Sequence, residues 1–339
     1  MQKILAIIPA RSGSKSVPDK NIRMINKKPL LAYSIEHAQK SKYINRIILS
    51  TDSKKYQKIG LQYGAETPFL RPAEFATDSS LDIDVFYHAL SFLKQKENYL
   101  PDLVVQLRPT YPIRNVEDID KMIEIALNNS DIDSVRSITE AQEIPFKMWT
   151  MDNFGRINPI CSEINECYNM PRQKLPKAYY QNACIDVVRG SIILEQKSMS
   201  GKNIYGYVMK NNLDIDTEEQ FKLAEYYLLA QNGKLNFCFD IDGVIAITSD
   251  ATDYSKSMPN KEIISFINEL YNYGNFIRIH TARGYTTGIN WSEITKKQLS
   301  SWWVKFHELN FGKPNADFYI DDHAMELTNL DKFRKILKR

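Results

Sequence analysis

Residues 3–21 read KILAIIPARSGSKSVPDKN. The apolar run ends at Ala10, and its shortness predicts a strand over Lys3–Ala10 that is covered on both faces. A polar loop over Arg11–Asn21 follows, with three cations (Arg11, Lys15 and Lys20) and the small residues Ser12, Gly13 and Ser14. Cations and open backbone amides between a strand and a helix suit a polyphosphate. The spacing is not that of a Walker A loop, and on spacing alone the stretch reads equally as a solvated basic turn.

Outward from this loop, helix and strand signals alternate. Pro29–Ser41, Ser53–Tyr63 and Val116–Asn128 carry helical apolar spacing, while Arg46–Thr51 and Leu103–Arg108 read as strands. The alternation predicts an α/β fold with a parallel sheet under helices, and chemistry beyond the strand ends at Ala10, Ser50 and Leu107. From about Glu140 to Tyr180 the pattern lapses into a Pro-, Asn- and Met-rich stretch, expected to be a lid or a subunit-contact arm. Strand character returns at Cys184–Arg189 and Ile204–Met209, and Thr217–Ala230 reads as a helix. A turn at Gln231–Lys234 then divides the chain into an expected first domain, 1–230, and a second, 235–339. The second should contain strands at Leu235–Asp240, Phe276–His280 and Asp317–Ile320, with helices at Asn260–Tyr273 and Ser292–Leu309.

Composition agrees with two globular domains in 339 residues, 43% hydrophobic and 25% charged. A net charge of +3 lacks the basic excess of a nucleic-acid binder. Cys161, Cys167, Cys184 and Cys238 form no CxxC pair, which argues against a zinc knuckle. No apolar stretch reaches the ~18 residues of a membrane span, so a cytoplasmic protein with neither membrane nor nucleic-acid partner is expected.

Two further features carry chemistry. In NLDIDTEEQF (212–221), Asp214 and Asp216 share one face of an extended segment and repel each other unless a cation lies between them. Magnesium accepts such a pair together with substrate phosphate oxygens, although a helix-entry cap at Asp216 or Thr217 is an equal reading. In the second domain, LNFCFDIDGV (235–244), IRIHTARG (277–284) and FGKPNADFYIDD (311–322) place Asp240 and Asp242, then Thr281, then Lys313 with Asp321 and Asp322 at successive expected strand ends.

PARSGSKSVPDKNI, LLAYSIEHA, ILSTDS, ETPFLRPAEFATD, LRPTYPIRNVEDID, LPKAYYQNA and LDIDTEEQF occur in this order over about residues 3–230. The stretch resembles the acylneuraminate cytidylyltransferases, which make CMP-sialic acid and related CMP-nonulosonates. The resemblance implies a Rossmann-like nucleotidyltransferase domain, CTP and a small acidic sugar as substrates, and a homodimer or homotetramer. By analogy Arg11, Ser14, Lys15, Lys20, Asn21 and Arg71 hold the nucleotide, with Ser50, Thr51 and Asp52 around the nucleoside. Arg11 and Lys15 would act on the leaving pyrophosphate, and Asp214 and Asp216 on Mg2+. Arg108, Thr110, Arg172, Asn182 and Asp186 would line the acceptor site. Arg108 and Asp186 stand where the family has neutral residues, which leaves open another nonulosonic acid or a different small acidic acceptor.

Residues 235–325 resemble the haloacid dehalogenase superfamily, closest to its small capsule-biosynthesis phosphatases. This implies a small Rossmann-like domain in which Asp240 is the nucleophile and Asp242 the general acid/base. Thr281 would bind the phosphoryl group of a phosphorylated sugar and Lys313 would offset its charge. Asp240, Asp242, Asp321 and Asp322 are the implied Mg2+ site. An inactive assembly module in the second domain, or a CTP sensor in the first, are the rival readings.

Overall fold

The computed structural model describes the chain except residues 1, 15, 16, 142, 210–212, 234, 248–252 and 314–339. The chain forms two compact units, Met1–Gln220 and Phe221–Arg339.

The first unit is built on a six-stranded sheet. Its strands are β1 (Ile4–Pro9), β2 (Arg46–Ser50), β3 (Leu103–Leu107), β4 (Ser134–Glu140), β7 (Tyr179–Arg189) and β8 (Ile204–Val208). Strands β5 (Trp149–Met151) and β6 (Ile157–Pro159) form a separate hairpin. The sheet order is β8-β4-β7-β3-β1-β2. Side chains alternate across β1 and so feed two cores. Ile4, Ala6 and Ile8 pack with Leu31 and Ile35 of α1 (Leu30–Lys40) and with Met122 and Ile123 of α4 (Val116–Asn128). Leu5 and Ile7 pack with Phe86, Leu90 and Leu93 of α3 (Asp82–Glu97) and with Ile192 and Ile193 of α5 (Gly190–Gln196). Side-chain caps start two of the helices: Ser53 accepts from Tyr56 N ahead of α2 (Lys54–Gln62), and Asn115 accepts from Glu117 N ahead of α4.

Two expectations need correction here. The sheet is mixed, because β7 runs antiparallel to both β3 and β4. The physical reason is the excursion between β4 and β7, which leaves and re-enters at the same end of these two neighbouring strands, where Glu140 faces Tyr179. A chain that returns without a crossover pairs antiparallel. Helix α3 was also missing from the sequence reading, although Val85, Phe86, Ala89, Leu90 and Leu93 repeat at helical spacing.

Strand β7 carries an irregularity opposite Ser137, with Ala183 at a φ of 55°. Asn182 Oδ1 accepts from Ser137 Oγ (2.5 Å) and from Cys184 N (3.1 Å), while Ile185 N donates to Ser137 Oγ (2.9 Å). The kink therefore has its own polar partners.

In the second unit, β9 (Asn236–Phe239), β10 (Phe276–Thr281) and β11 (Glu308–Phe311) form a parallel sheet in that order. Helices α7 (Lys261–Asn272) and α8 (Ser292–Ser301) connect them, and α6 (Glu218–Gln231) precedes them. Phe266, Ile267 and Leu270 of α7 pack in the same interior as Ile277 and Ile279 of β10. The expected helix over Ser292–Leu309 stops at Ser301, and a strand occupies its last residues. Trp303 breaks the helical path with a φ of 59°. The strand expected at Asp317–Ile320 lies outside the described residues.

Arg114 ties the loop after β3 to the sheet. It is buried and donates to Cys184 O (2.9 and 3.1 Å), Arg108 O (2.8 Å) and Ser34 Oγ (3.1 Å). Arg114→Met should lower unfolding free energy by about 3 kcal/mol, because several buried acceptors lose a charged donor together. Urea denaturation of the two proteins measures this directly.

Candidate functional site

The site of the first unit forms where β1, β2 and β3 end. Leaving β1, the chain is held by Ala10 N donating to Ser50 O (2.9 Å). Asp52 then grips the loop: its two oxygens accept from Ser12 N (2.7 Å) and Ser12 Oγ (2.6 Å). Gly13 follows at a φ of 78°, a conformation that favours glycine, and Asn21 Nδ2 closes the loop onto Arg11 O (2.9 Å).

The loop forms one wall of a cavity of about 420 Å³. Of the residues singled out in the sequence, Arg11, Ser14, Lys20, Asn21, Arg71, Arg108, Thr110, Asp214 and Asp216 all line it, although Arg71 and Asp214 lie well over a hundred residues apart. Thr51 is buried behind the wall. Lys15 lies outside the described residues.

Three cations of the cavity already face carboxylates. Arg11 Nη2 lies 2.5 Å from Asp78 Oδ1, Lys20 Nζ 3.1 Å from Asp216 Oδ1, and Arg108 Nη2 2.5 Å from Asp82 Oδ2. Lys20 also donates to Ile215 O (2.7 Å), which locks its ammonium beside the acid pair. Arg71 donates to Ser50 O, Ser50 Oγ and Phe75 O, and burial lowers its pKa to about 10. Burial is also the main cause that raises the Asp214 carboxyl, and the neighbouring Asp216 charge adds to it; Thr110, Tyr111 and Lys20 pull the other way. Asp214 Oδ1 is buried without a hydrogen-bond partner.

Those features test the fit of a divalent cation. A hard metal takes oxygen ligands and keeps several for water and substrate, so one orphaned carboxylate oxygen beside a second carboxylate suits it. Among the described residues no cluster of three or more His, Cys, Asp or Glu could hold a metal by itself.

Arg172, Asn182 and Asp186 do not line this cavity. Arg172 donates to Ala141 O (2.9 Å), and Asn182 is occupied with the kink in β7. Asp186 is 2% exposed on the α3 face of the sheet, in register with Gln106 and Arg136. The sequence reading missed Asp78 and Asp82 as site residues, the two carboxylates that pair Arg11 and Arg108. Asp82 opens α3, so reading that helix would have found it.

In the second unit the strand ends converge again. Asp240, just past β9, accepts from Ile241 N (2.8 Å) at Oδ1 and from Lys313 Nζ (2.7 Å) at Oδ2. Lys313 N donates to the carbonyl of Thr281, the last residue of β10. Asp242 accepts from Arg283 at both oxygens, 2.7 and 2.8 Å. Gly243 follows with a φ of 82°. Asp321 and Asp322 lie outside the described residues.

A family model described as cytidylyltransferase matches residues 5–149. The post-translational flagellin modification protein B of Campylobacter coli is 32% identical over 234 residues, covering 68% of this chain and 97% of that protein. The CMP-N,N'-diacetyllegionaminic acid synthase of Campylobacter jejuni is 34% identical over 236 residues, covering 68% and 97%. The N-acylneuraminate cytidylyltransferase of Escherichia coli is 33% identical over 224 residues, covering 66% of this chain and 51% of that one. A solved CMP:2-keto-3-deoxy-manno-octonic acid synthetase complexed with CTP shares the fold, with a TM-score of 0.51 at 16% identity over 68% of this chain and 99% of that chain. No described helix is long and apolar enough to cross a membrane.

Asp186 gives a test of the buried geometry. Desolvation raises its carboxyl above the ordinary 3.8, opposed by Arg136 and Arg108. A raised native value means the folded state holds the proton longer than the unfolded state. Stability from this group is therefore full below the unfolded value and is lost as pH rises towards the native one. Asp186→Asn should be more stable than the parent at neutral pH, with the gap closing towards pH 3.8. Denaturation midpoints of both proteins across this range decide it.

Proposed function

The chain belongs to the cytidylyltransferase family that includes relatives of the N-acylneuraminate cytidylyltransferases, and from that premise we propose that it couples CTP to a nonulosonic acid, giving a CMP-sugar and pyrophosphate. The observation that carries this reading is the convergence of Arg11, Lys20, Arg71, Asp214 and Asp216 on one cavity at the strand ends. A hydroxyl of the sugar attacks the α-phosphorus in line. The bond from the α-phosphorus to the oxygen bridging to the β-phosphate breaks, the hydroxyl proton passes to solvent water, and pyrophosphate leaves.

The side chains act mainly by position and charge. Arg11 turns from Asp78 to the phosphates. That pair is one-third to one-half exposed, so releasing it takes little, about 1 kcal/mol or less. Ser14 and the loop amides face the same anion. Asp214 and Asp216 would hold Mg2+, which when bound offsets phosphate charge and acidifies a nearby hydroxyl. Arg108, held by Asp82, and Thr110 would meet the acceptor from the loop after β3. Its relatives include a legionaminic acid synthase and an acylneuraminate transferase, so a related nine-carbon acid is the assigned acceptor class. The apolar side chains exposed on the β5–β6 hairpin, Met151, Phe154 and Ile157, supply a surface for the expected homodimer or homotetramer.

For the second unit we propose a Mg2+-dependent phosphomonoesterase. Its support is the meeting of Asp240, Thr281 and Lys313 at three adjacent parallel strand ends. Asp240 attacks phosphorus, an acyl-phosphate bond forms, and the bond to the alcohol oxygen breaks as that oxygen takes a proton from Asp242. Water then attacks the phosphorus and returns a proton to Asp242, and inorganic phosphate leaves Asp240. Lys313 offsets the charge of the incoming phosphate. Mg2+ would bind at Asp240 with Asp321 and Asp322; Asp242, expected as a further ligand, is left out of the metal site, because both its oxygens accept from Arg283 and it carries the proton.

Asp214→Asn or Asp216→Asn should reduce pyrophosphate release from CTP and nonulosonic acids by roughly 100-fold or more while leaving the thermal transition in place. Near-parental rates in either variant remove the metal assignment. Asp240→Asn should abolish phosphate release from small phosphomonoesters and leave pyrophosphate release intact. A folded parent protein that hydrolyses no phosphomonoester returns the second unit to an assembly role.

A further inference from the structure

Among the described residues of the polar loop, Asp19 is the one non-glycine residue with a positive φ, 51°, in the left-handed region that a side chain usually avoids. The turn it makes is tight. Ile22 N and Arg23 N donate to its carbonyl at 2.9 and 3.0 Å, and Lys20 N donates to Val17 O (3.1 Å). This turn delivers Lys20 to the cavity, where its stem is buried and its ammonium rests on Ile215 O and Asp216. Both oxygens of the Asp19 side chain meet the start of α2. Tyr56 OH donates to Oδ1 (3.1 Å), and Lys55 Nζ lies 3.4 Å from Oδ2. Lys55 and Asp19 are both more than half exposed, so their pair adds little. Tyr56 is different. It is 1% exposed and lies in the core with Leu49 and Ala65, and its backbone is fixed at the helix start, where Ser53 accepts from Tyr56 N.

A buried phenol needs one acceptor for its proton, and a backbone carbonyl would serve. Here the acceptor is the carboxylate of the left-handed residue that precedes Lys20, and the bond is charge-assisted. The same short segment holds the other end of the loop, where Asp52 accepts from Ser12 N and Ser12 Oγ. Residues 52–56 thus grip residue 12 and residue 19 from one helix start. On the cytidylyltransferase reading of this cavity, we propose that Tyr56 is a positioning residue for the nucleotide. Through Asp19 it holds the turn that sets Lys20 where the phosphates of CTP arrive. A left-handed aspartate persists where its surroundings fix it. Without the phenol hydroxyl the turn relaxes, and the ammonium is in place for a smaller share of the time. Tyr56 does not line the cavity, so it acts only through the loop.

Calorimetry of CTP binding to the full chain with Mg2+, together with pyrophosphate release, tests this role. Tyr56→Phe keeps the ring and removes only the hydroxyl. It should raise the CTP dissociation constant and the CTP KM about tenfold, near the lower bound for a hydrogen bond to a charged group. At saturating CTP, kcat and the acceptor KM should stay within about threefold of the parent, because only nucleotide placement is disturbed. Asp19→Ala removes the contact and the left-handed preference together. It should lose at least as much, and Tyr56→Phe should add nothing to it. Asp19→Asn keeps an acceptor and tolerates the turn, so it should lose less. The decisive background is Lys20→Gln, in which Tyr56→Phe should change kcat/KM for CTP less than about twofold, since no ammonium remains to be placed. Lys55→Met should match the parent. A hydroxyl that serves packing alone would lower the unfolding temperature of Tyr56→Phe and leave CTP binding as it was, and that result overturns the proposal. Equal losses with and without Lys20 overturn it as well. If the parent protein binds no CTP, the cytidylyltransferase reading fails, and this role fails with it.

Discussion

Strand β1 is hydrogen-bonded on both edges, to β2 and to β3, and buried on both faces. A strand in that setting has no freedom to shift, since moving one residue would exchange its two apolar faces and break both ladders. The end of β1 is therefore the best-determined point in the first unit, and the polar loop starts there. Asp52, two residues past the end of β2, carries the fixed geometry into the loop by holding Ser12 at its amide and its hydroxyl. Arg114 does the same for the loop after β3. Rigid strand ends thus set the spacing of groups that must meet a flexible polyanion.

The charges in the first cavity are balanced before any ligand arrives. Arg11, Lys20 and Arg108 each face an aspartate, and Arg71 is spent on Ser50 and Phe75. On the proposed reading a nucleotide would compete with Asp78 for Arg11, and a cation at Asp214 and Asp216 would compete with Lys20 for Asp216. The second unit solves a similar problem differently, with Lys313 on Asp240 and Arg283 on Asp242, one cation to each acid.

Much of this was legible in the sequence. The apolar run to Ala10, the cationic loop and the Asp214/Asp216 pair are local signals, and local signals survive without coordinates. What escaped is non-local. The direction of β7 depends on where an irregular excursion ends. Helix α3 was hidden because its apolar period begins after the polar stretch around Asp78. Asn182 and Asp186 carry the residue types of a binding site, but a kink and a buried sheet row absorb them. Arg283 sits in a quoted motif, yet its burial follows from α8 and Tyr254, which no spacing rule connects to it. Lys313 follows β11 directly, and that strand, unread in the sequence, brings it to Asp240.

The excursion between Glu140 and Tyr179 leaves the sheet and returns to paired positions on neighbouring strands. Its ends are held by the ladder whatever lies between them, so the entropy of closing it depends only weakly on its length. Each doubling adds about 0.6 kcal/mol. Changes in the length of that segment therefore cost the sheet little. The segment can diversify under selection for new partners while the strand ends beside it stay constant.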